Sequence, residues 1–267
     1  MQNIKEYVAE RKQQIKNEIE YRKLNNKATP HLAIIQVGNI EASNRYVKNK
    51  IADCADCGIT CELFNYNENV SESFILDLID AFNAEPKISG FIVQFPLPKH
   101  ISEAKVMKAI APEKDLDGFN KYSKTTPATP LGIYKYLKDM NYEFTGKNAV
   151  VIGRSEIVGK PMAELLINES MNVTVLHSKT PEHAKKFYLA NADLIVVATG
   201  HIGTLTKDYY LKKSAAVFDV GINFGQDGKM TGDCEQNLCV EFQSPVPGGC
   251  GLLTRLALLE NALELIS

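Results

Sequence analysis

The chain has 267 residues, and its 30 Lys and Arg against 32 Asp and Glu leave a formal charge of −2, which argues against a surface built for nucleic acid. Apolar residues make up 45% and charged residues 23%, an ordinary globular composition for one or two domains. No apolar run approaches the roughly 20 residues that span a bilayer.

The opening segment MQNIKEYVAERKQQIKNEIEYRK interleaves charges with Ile4, Val8, Ile15 and Ile19. That spacing predicts an amphipathic helix rather than a signal peptide, and a cytoplasmic protein. HLAIIQVG, residues 31–38, reads as a buried strand closed by a glycine. A helix from about Ser43 to Cys57 follows, with Val47, Ile51 and Cys54 as a core stripe and Gly58 as its stop. TCELFNY is a short strand. In SESFILDLIDAFNAEP, Ser71 is placed to cap a helix whose inward residues are Phe74, Ile75, Leu78, Ile79 and Phe82. ISGFIVQFPLP is a second buried strand stopped by Pro96 and Pro98. SEAKVMKAIAP is another helix, ended by Pro112. Strands alternating with helices imply a parallel sheet. Ligands of such sheets gather beyond the carboxyl ends of the strands, so the helix after Gly38, the segment Gln94–Pro98 and KDLDGF are expected at one rim.

A helix from about Pro130 to Met140 comes next, and NYEFTGK reads as a hinge. The alternation then restarts: NAVVI, VTVL, ADLIVV and AAVFDV are four strands of a second unit of typical domain size. The predicted architecture is α/β with two domains. Residues 1–140 with 246–267 form one, and residues 141–245 form a Rossmann-like cofactor domain. The last helix, LLTRLALLENALELI, has an apolar face that returns to the first domain.

In VVIGRSEIVGKP a strand runs into Gly153, a short turn, Gly159 and a helix. Free amides at a helix start attract phosphate, and glycine permits its close approach. The glycines are six apart, so the turn departs from G-x-G-x-x-G and is a weak signal alone. The next strand sharpens it. NAD enzymes commonly end that strand in an acid that binds the ribose 2'-hydroxyl; this one ends in His177, Ser178 and Lys179. With Arg154, these suit a 2'-phosphate that a carboxylate would repel. NADP is the expected cofactor, against the plainer reading that Arg154 and Lys179 are merely solvated.

Six cysteines include Cys54, Cys57 and Cys61 in C-x2-C-x3-C. No second cluster of zinc spacing accompanies them, so core positions are the better reading and no metal is expected. Tyr46 and Lys50 in ASNRYVKNK share the spacing of the short-chain dehydrogenase pair. That reading fails on placement, because the pair precedes the glycine turn by about a hundred residues and lies in a different unit. Four residues still put both on adjacent turns of one helix face. By residue type alone Lys50 is an ordinary solvated helix lysine, and Asp117 a turn residue before Gly118.

Taken in order, ASNRYVKNK, GFIVQFPLPKH, PEKDLDGFN, PATPLG, GKNAVVIGRSEIVGKPMAELL, VTVLHSKT, ADLIVVATG, DVGIN, GD at 232–233 and SPVPGGCGLLT resemble one family, the bifunctional methylenetetrahydrofolate dehydrogenase/methenyltetrahydrofolate cyclohydrolases. The match runs from about residue 32 to 254. The resemblance implies a two-domain α/β fold with folate and NADP on opposite walls of a cleft, and a homodimer. By it, Lys50 corresponds to the catalytic lysine, Tyr46 to the aromatic residue against the folate, Gln94 to a glutamine that hydrogen-bonds the lysine, and Asp117 to the carboxylate gripping the pterin. It also implies Gly153, Arg154 and Ser155 as the cofactor turn, Ser178 as the 2'-phosphate contact and Ile222 beside the nicotinamide. The resemblance further implies that Thr254 faces the cleft as a cofactor-side residue and that Pro247, Gly248 and Gly249 bind the folate.

These residue types suit the implied chemistry. Hydride transfer from the methylene carbon needs orientation more than an acid or base. Hydrolysis of the resulting methenyl group needs a proton removed from water, which a partly desolvated lysine beside a developing cation can assist. The chain departs from the family pattern at Ala128, Cys250, Leu252 and Leu253, and its N-terminus lacks the usual opening turn before the first helix. The alternatives are a dehydrogenase with weak cyclohydrolase activity, a non-catalytic NADP- or folate-binding module, and a shikimate-dehydrogenase-like enzyme.

Overall fold

A computed structural model describes residues 1–225 and 228–267, without the side chain of Ala42. The chain divides into two compact units, one of Met1–Ala9 and Thr129–Thr254, the other of Glu10–Ala128 and Arg255–Ser267.

The chain opens with helix α1 (Ile4–Leu24), whose Ile4, Val8, Ile15 and Ile19 are buried as their spacing predicts. The unit that holds Glu10–Ala128 is built on three parallel strands in the order β2-β1-β3: β1 (His31–Val37), β2 (Thr60–Tyr66) and β3 (Gly90–Val93). β1 is central and buried almost throughout, as a continuous apolar run in a parallel sheet should be. Helix α2 (Glu41–Asp56) connects β1 to β2, and α3 (Glu72–Ala84) connects β2 to β3.

α2 ends in a Schellman motif: Gly58 has φ of +73° and its amide bonds to Ala55, while the Ile59 amide bonds to Cys54. Ser71 caps α3, its hydroxyl accepting from the Phe74 amide at 3.1 Å. The inward set of α3 is narrower than expected. Ile75, Ile79 and Phe82 are buried, Leu78 is half-buried, and Phe74 is 42% exposed, resting edge-on against Tyr66. At ~100° per residue Phe74 lies about 100° off the centre of that stripe, beyond its edge.

After α4 (Glu103–Ala109) the chain returns beside β3 through a parallel bridge between Phe91 and Asp115. That bridge delivers Asp117 to the carboxyl end of the sheet.

Helix α5 (Ala128–Asp139) leads to the five-stranded parallel sheet of the other unit. Its strands are β4 (Asn148–Ile152), β5 (Asn172–Leu176), β6 (Leu194–Val197), β7 (Ala216–Asp219) and β10 (Phe242–Gln243), ordered β10-β7-β6-β4-β5. Helices α6 (Gly159–Asn168) and α7 (Glu182–Ala190) are the crossovers, and a short antiparallel pair, β8 (Asn223–Phe224) with β9 (Met230–Thr231), follows β7. β10 adds to the four strands expected; its two residues are too few to carry an alternation. α6 buries Gly159, Met162, Ala163 and Leu166, one helical stripe against the sheet. The strand order reverses between β4 and β6, which makes their carboxyl ends the switch point where ligands of such sheets bind.

The last helix, α8 (Cys250–Glu264), has residues in both units. Its portion from Arg255 onward belongs with the three-stranded sheet, as its apolar face predicts. There Arg255 pairs with Asp53 at 2.9 Å, Glu260 with Arg11 at 2.7 Å, and Leu265 lies against Gly90.

Candidate active site

Around the three-stranded sheet, the carboxyl ends of β1, β3 and the Asp115 bridge collect Tyr46, Lys50, Gln94 and Asp117. On α2 the buried stripe runs Ser43, Val47, Lys50 and Cys54 and continues to Cys57 at its C-cap, with Ile51 only half-buried at its edge. Lys50 therefore occupies a core position on its helix. It is 3% exposed, not a solvated surface lysine. Its Nζ stands 3.9 Å from Asp117 Oδ1 and 5.2 Å from the centre of the Tyr46 ring. Burial lowers the Lys50 pKa from its ordinary value, opposed by the nearby Asp117 carboxylate. Burial likewise raises that of Asp117, opposed by Lys50. The low-dielectric surroundings thus push both partners toward their neutral forms.

The Asp117 turn is held from several directions. Asp115, 1% exposed, accepts from the amides of Gly118 at 3.0 Å and Asn120 at 2.6 Å. Burial pushes its pKa up to about 6 against the pull of those donors. Gly118 has φ of +71°, and a Cβ there would sit 2.6 Å from the Thr126 carbonyl carbon. Asn261 on α8, fully buried, donates through Nδ2 to the carbonyls of Leu116 and Thr126, each at 3.0 Å. Sequence reasoning misses both Asp115 and Asn261. The pattern D-x-D-G-x-N is the available signal for Asp115, because aspartates before glycine turns commonly cap local amides. A polar residue in the apolar face of α8 is the signal for Asn261.

Gln94 follows β3 directly but does not bond to Lys50, contrary to expectation. Its Nε2 donates to the Phe95 carbonyl at 2.7 Å, and its Oε1 is buried without a partner. The nearby main-chain carbonyl claims the side chain's donor, and the orphaned oxygen is an acceptor ready for a ligand or for the lysine.

In the other unit, Gly153 leaves β4 with φ of +124°, and a Cβ on it would sit 2.2 Å from the Ala198 carbonyl oxygen. Gly159 is equally confined, with Gly153 O 2.4 Å from its would-be Cβ. Both glycines are required by backbone packing at the switch point. Ser155 Oγ accepts from the amides of Val158 and Gly159, which fixes the turn that leads into α6. Within the described residues the amides of Arg154, Ser155, Glu156 and Ile157 have no acceptor in the chain. They form a ready anion cradle before the helix. Because Ile152 and Leu176 are register partners, Arg154 and the His177–Lys179 segment leave adjacent strands at the same end. A bond from the His177 amide to Thr180 Oγ1 at 3.0 Å shapes that segment, with the Ser178 and Lys179 side chains exposed.

Ile222 is 48% exposed on the segment after β7. Thr254 Oγ1 donates to the Cys250 carbonyl at 2.9 Å and meets Thr129 Oγ1 at 3.0 Å, so its hydroxyl is engaged within its own unit. In the same glycine-rich segment Pro247 is exposed and Gly248 has φ of +102°. A Cβ on Gly249 would meet the Pro245 carbonyl oxygen at 2.3 Å. Of the departures from the family pattern, Ala128, Cys250 and Leu253 are buried packing positions, while Leu252 is half-buried.

Two family models match, the tetrahydrofolate dehydrogenase/cyclohydrolase catalytic domain over residues 3–117 and the corresponding NAD(P)-binding domain over residues 127–267. The chain belongs to the tetrahydrofolate dehydrogenase/cyclohydrolase family. The bifunctional protein FolD of Campylobacter hominis is 43% identical over 267 residues, covering 95% of this chain and 92% of that protein. Among solved structures, the bifunctional FolD enzyme of Campylobacter jejuni superposes with a TM-score of 0.93 at 36% identity, covering 99% of this chain and 97% of that one. The Trypanosoma brucei FolD, solved with NADP cofactor and an inhibitor, gives a TM-score of 0.91 at 28% identity, covering 100% of this chain and 96% of that one. The short-chain dehydrogenase spacing of Tyr46 and Lys50 is thus a coincidence of helix geometry, and the pair belongs to this family's catalytic domain.

Proposed function

We propose that the protein oxidises 5,10-methylenetetrahydrofolate to the 5,10-methenyl form with NADP, and hydrolyses that product to 10-formyltetrahydrofolate. The observation that carries this reading is Lys50, buried in α2 between the Tyr46 ring and the Asp117 carboxylate. An aromatic face, a desolvated amine and a carboxylate are the groups a flat, hydrogen-bonding heterocycle with a one-carbon bridge requires.

Asp117 accepts from the amino and ring NH groups of the pterin, and Tyr46 lies against the folate. The unpartnered Gln94 Oε1 takes a hydrogen bond from Lys50 or from bound substrate. Pro247, Gly248 and Gly249 are assigned to folate binding. NADP supplies the hydride acceptor for the first step. The free amides of the Arg154–Ile157 turn fit its pyrophosphate, Gly153 leaves room for close approach, and Arg154, Ser178 and Lys179 suit the 2'-phosphate. Ile222 is assigned to the nicotinamide end, with Thr254 among the cofactor-side residues. In the second step water adds to the methenyl carbon and loses a proton to Lys50 Nζ. The hydroxyl of that adduct then loses its proton as the C=O bond forms, and the bond from this carbon to one bridge nitrogen breaks, its electron pair taking up the proton held by Lys50, which leaves the formyl group on the other nitrogen.

By function the chain divides into residues 1–140 with 246–267 for folate and residues 141–245 for the cofactor. The protein is a cytoplasmic homodimer, a state that sedimentation in solution checks directly.

The test follows methenyltetrahydrofolate absorbance after methylenetetrahydrofolate is added with NADP or NAD, in wild type and Lys50→Ala. NADP is expected to be much preferred, and the variant to lose methenyl hydrolysis. Hydrolysis by Lys50→Ala at the wild-type rate would refute the role given to the lysine. An enzyme confined to dehydrogenation would let the methenyl product accumulate even in wild type.

A further inference from the structure

Behind the carboxyl ends of β6 and β7 lie two buried carboxylates for which the reaction scheme has no use. Asp219 and Asp233 are 1% and 0% exposed. Among the described residues neither meets a basic side chain through a hydrogen bond or ion pair; their partners are amides and neutral side chains. Asp219 Oδ1 accepts from the amides of Gly221 at 3.0 Å and Asp233 at 2.9 Å, and its Oδ2 accepts from the Cys234 amide at 2.9 Å. Asp233 Oδ2 accepts from the Thr199 amide at 2.7 Å, the Thr199 hydroxyl at 2.9 Å and the Gly200 amide at 2.9 Å. Its Oδ1 accepts from Asn223 Nδ2 at 2.9 Å.

The arrangement leaves no slack. A Cβ on Gly221 would stand 2.1 Å from Asp233 Oδ1, and one on Gly232 would stand 1.9 Å from Asp219 Oδ2. The segments so tied are those that border the switch point. Thr199 and Gly200 follow Ala198, whose carbonyl closes on Gly153 of the phosphate turn. Ile222 lies between Gly221, whose amide is held by Asp219, and Asn223, whose side chain is held by Asp233.

We propose that Asp233 is a positioning residue for hydride transfer, its carboxylate locking the Thr199–Gly200 turn to the Gly221–Asn223 segment so that the nicotinamide end of the cofactor meets a preformed surface. This inference rests on the functional reading above. A buried anion satisfied by main-chain amides orients those segments more rigidly than a neutral side chain would, because charge-assisted bonds are shorter and stronger. Asp233 touches neither reactant; it acts through Thr199, Gly200 and Ile222.

The two reactions separate this role from general support of the fold, because methenyl hydrolysis proceeds without the cofactor. In Asp233→Asn the Kd and KM for NADP are expected to rise about tenfold, with kcat for oxidation falling, as for losses of residues that orient a site from behind. Methenyl hydrolysis, assayed without NADP, should stay within about twofold of wild type, since it makes no use of this surface. Asn223→Ala removes only the Oδ1 partner and serves if Asp233→Asn folds poorly; a smaller rise confined to NADP binding and oxidation is expected. Unchanged NADP binding and oxidation in both variants would overturn the proposal. So would a parallel fall in both reactions. A wild-type protein that bound no NADP by calorimetry would sink the functional reading itself, an outcome distinct from wild-type binding that the variants leave intact.

Discussion

Lys50 Nζ and Asp117 Oδ1 face each other at 3.9 Å, with side chains 4% and 12% exposed. Burial is the first cause of the shift in both, lowering the lysine pKa and raising that of the aspartate, while each partner's charge opposes the change. At that distance the ion pair has lost most of its water without gaining a direct hydrogen bond, so desolvation prevails. On the function proposed above, a pterin bonded to Asp117 would take up the carboxylate and release its hold on the amine.

The pH dependence of methenyl hydrolysis follows from that shift. On the function proposed above the neutral amine is the proton acceptor, and it gains population as pH rises through a pKa set below the ordinary lysine value of 10.5. The enzymatic rate, after subtraction of the rate in Lys50→Ala, should rise with pH and level off before 10.5. Stopped-flow absorbance across this range checks it. A flat difference between wild type and variant would remove Lys50 as the base.

Asp117→Asn should move that profile to lower pH. The aspartate raises the Lys50 pKa, so its loss leaves burial less opposed and the amine deprotonates sooner. Folate KM should rise at the same time, on the order of a hundredfold, since the amide puts a donor NH2 where the carboxylate has its second accepting oxygen and removes the charge that strengthens both bonds. A profile shifted upward would contradict the sign of the interaction.

Asn261→Ala tests the support of the Asp117 turn. The substitution leaves the Leu116 and Thr126 carbonyls without their donor in a buried setting. A loss of about 2–3 kcal/mol of stability is expected, read as a lower denaturant midpoint. Folate KM should rise while the KM for NADP stays near wild type, because the bonded carbonyls belong to Leu116, next to Asp117, and to Thr126, which packs on Gly118 of the same turn. Equal rises in both would mean that Asn261 supports the fold without orienting this turn.

Both sheets are legible in the alternation of apolar runs and helical stripes, because buried parallel strands need continuous apolar sequence and their crossovers need amphipathic helices. The short β10 carries no such pattern. Lys50 shows a limit of periodicity. Ser43, Val47, Lys50, Cys54 and Cys57 stand at the spacings of one core stripe, so a lysine inside it is a sign of burial. A stripe drawn instead through Val47, Ile51 and Cys54 fits the same helix and turns Lys50 toward the edge. The bond made by Gln94 is not readable from residue type, since a main-chain carbonyl one residue away competes for its amide. Asp219 and Asp233 are visible as DVGIN and GD, but their common purpose depends on segments brought together only by the fold.

Cofactor choice gives the last prediction. Ser178 and Lys179 are exposed at the end of β5, and Arg154 leaves the neighbouring β4 at the same end. The sequence His177-Ser178-Lys179-Thr180 at the end of β5 holds no acid to grip a ribose 2'-hydroxyl. Ser178→Asp would supply one and place it against the 2'-phosphate of NADP. Like charges at close range cost several kcal/mol at a partly desolvated site, so the ratio of kcat/KM for NADP over NAD should fall by about a hundredfold or more. Most of the fall should come from weaker NADP use, with NAD use unchanged or improved. Because Ser178 is exposed and its substitution opens no cavity, thermal stability should move by less than about 1 kcal/mol. Initial rates with each cofactor, measured beside Arg154→Ala, show whether the two positions act on the same phosphate. If they do, the loss in the double variant will be smaller than the sum of the single losses. Additive losses would place Arg154 on a different part of the cofactor from Ser178.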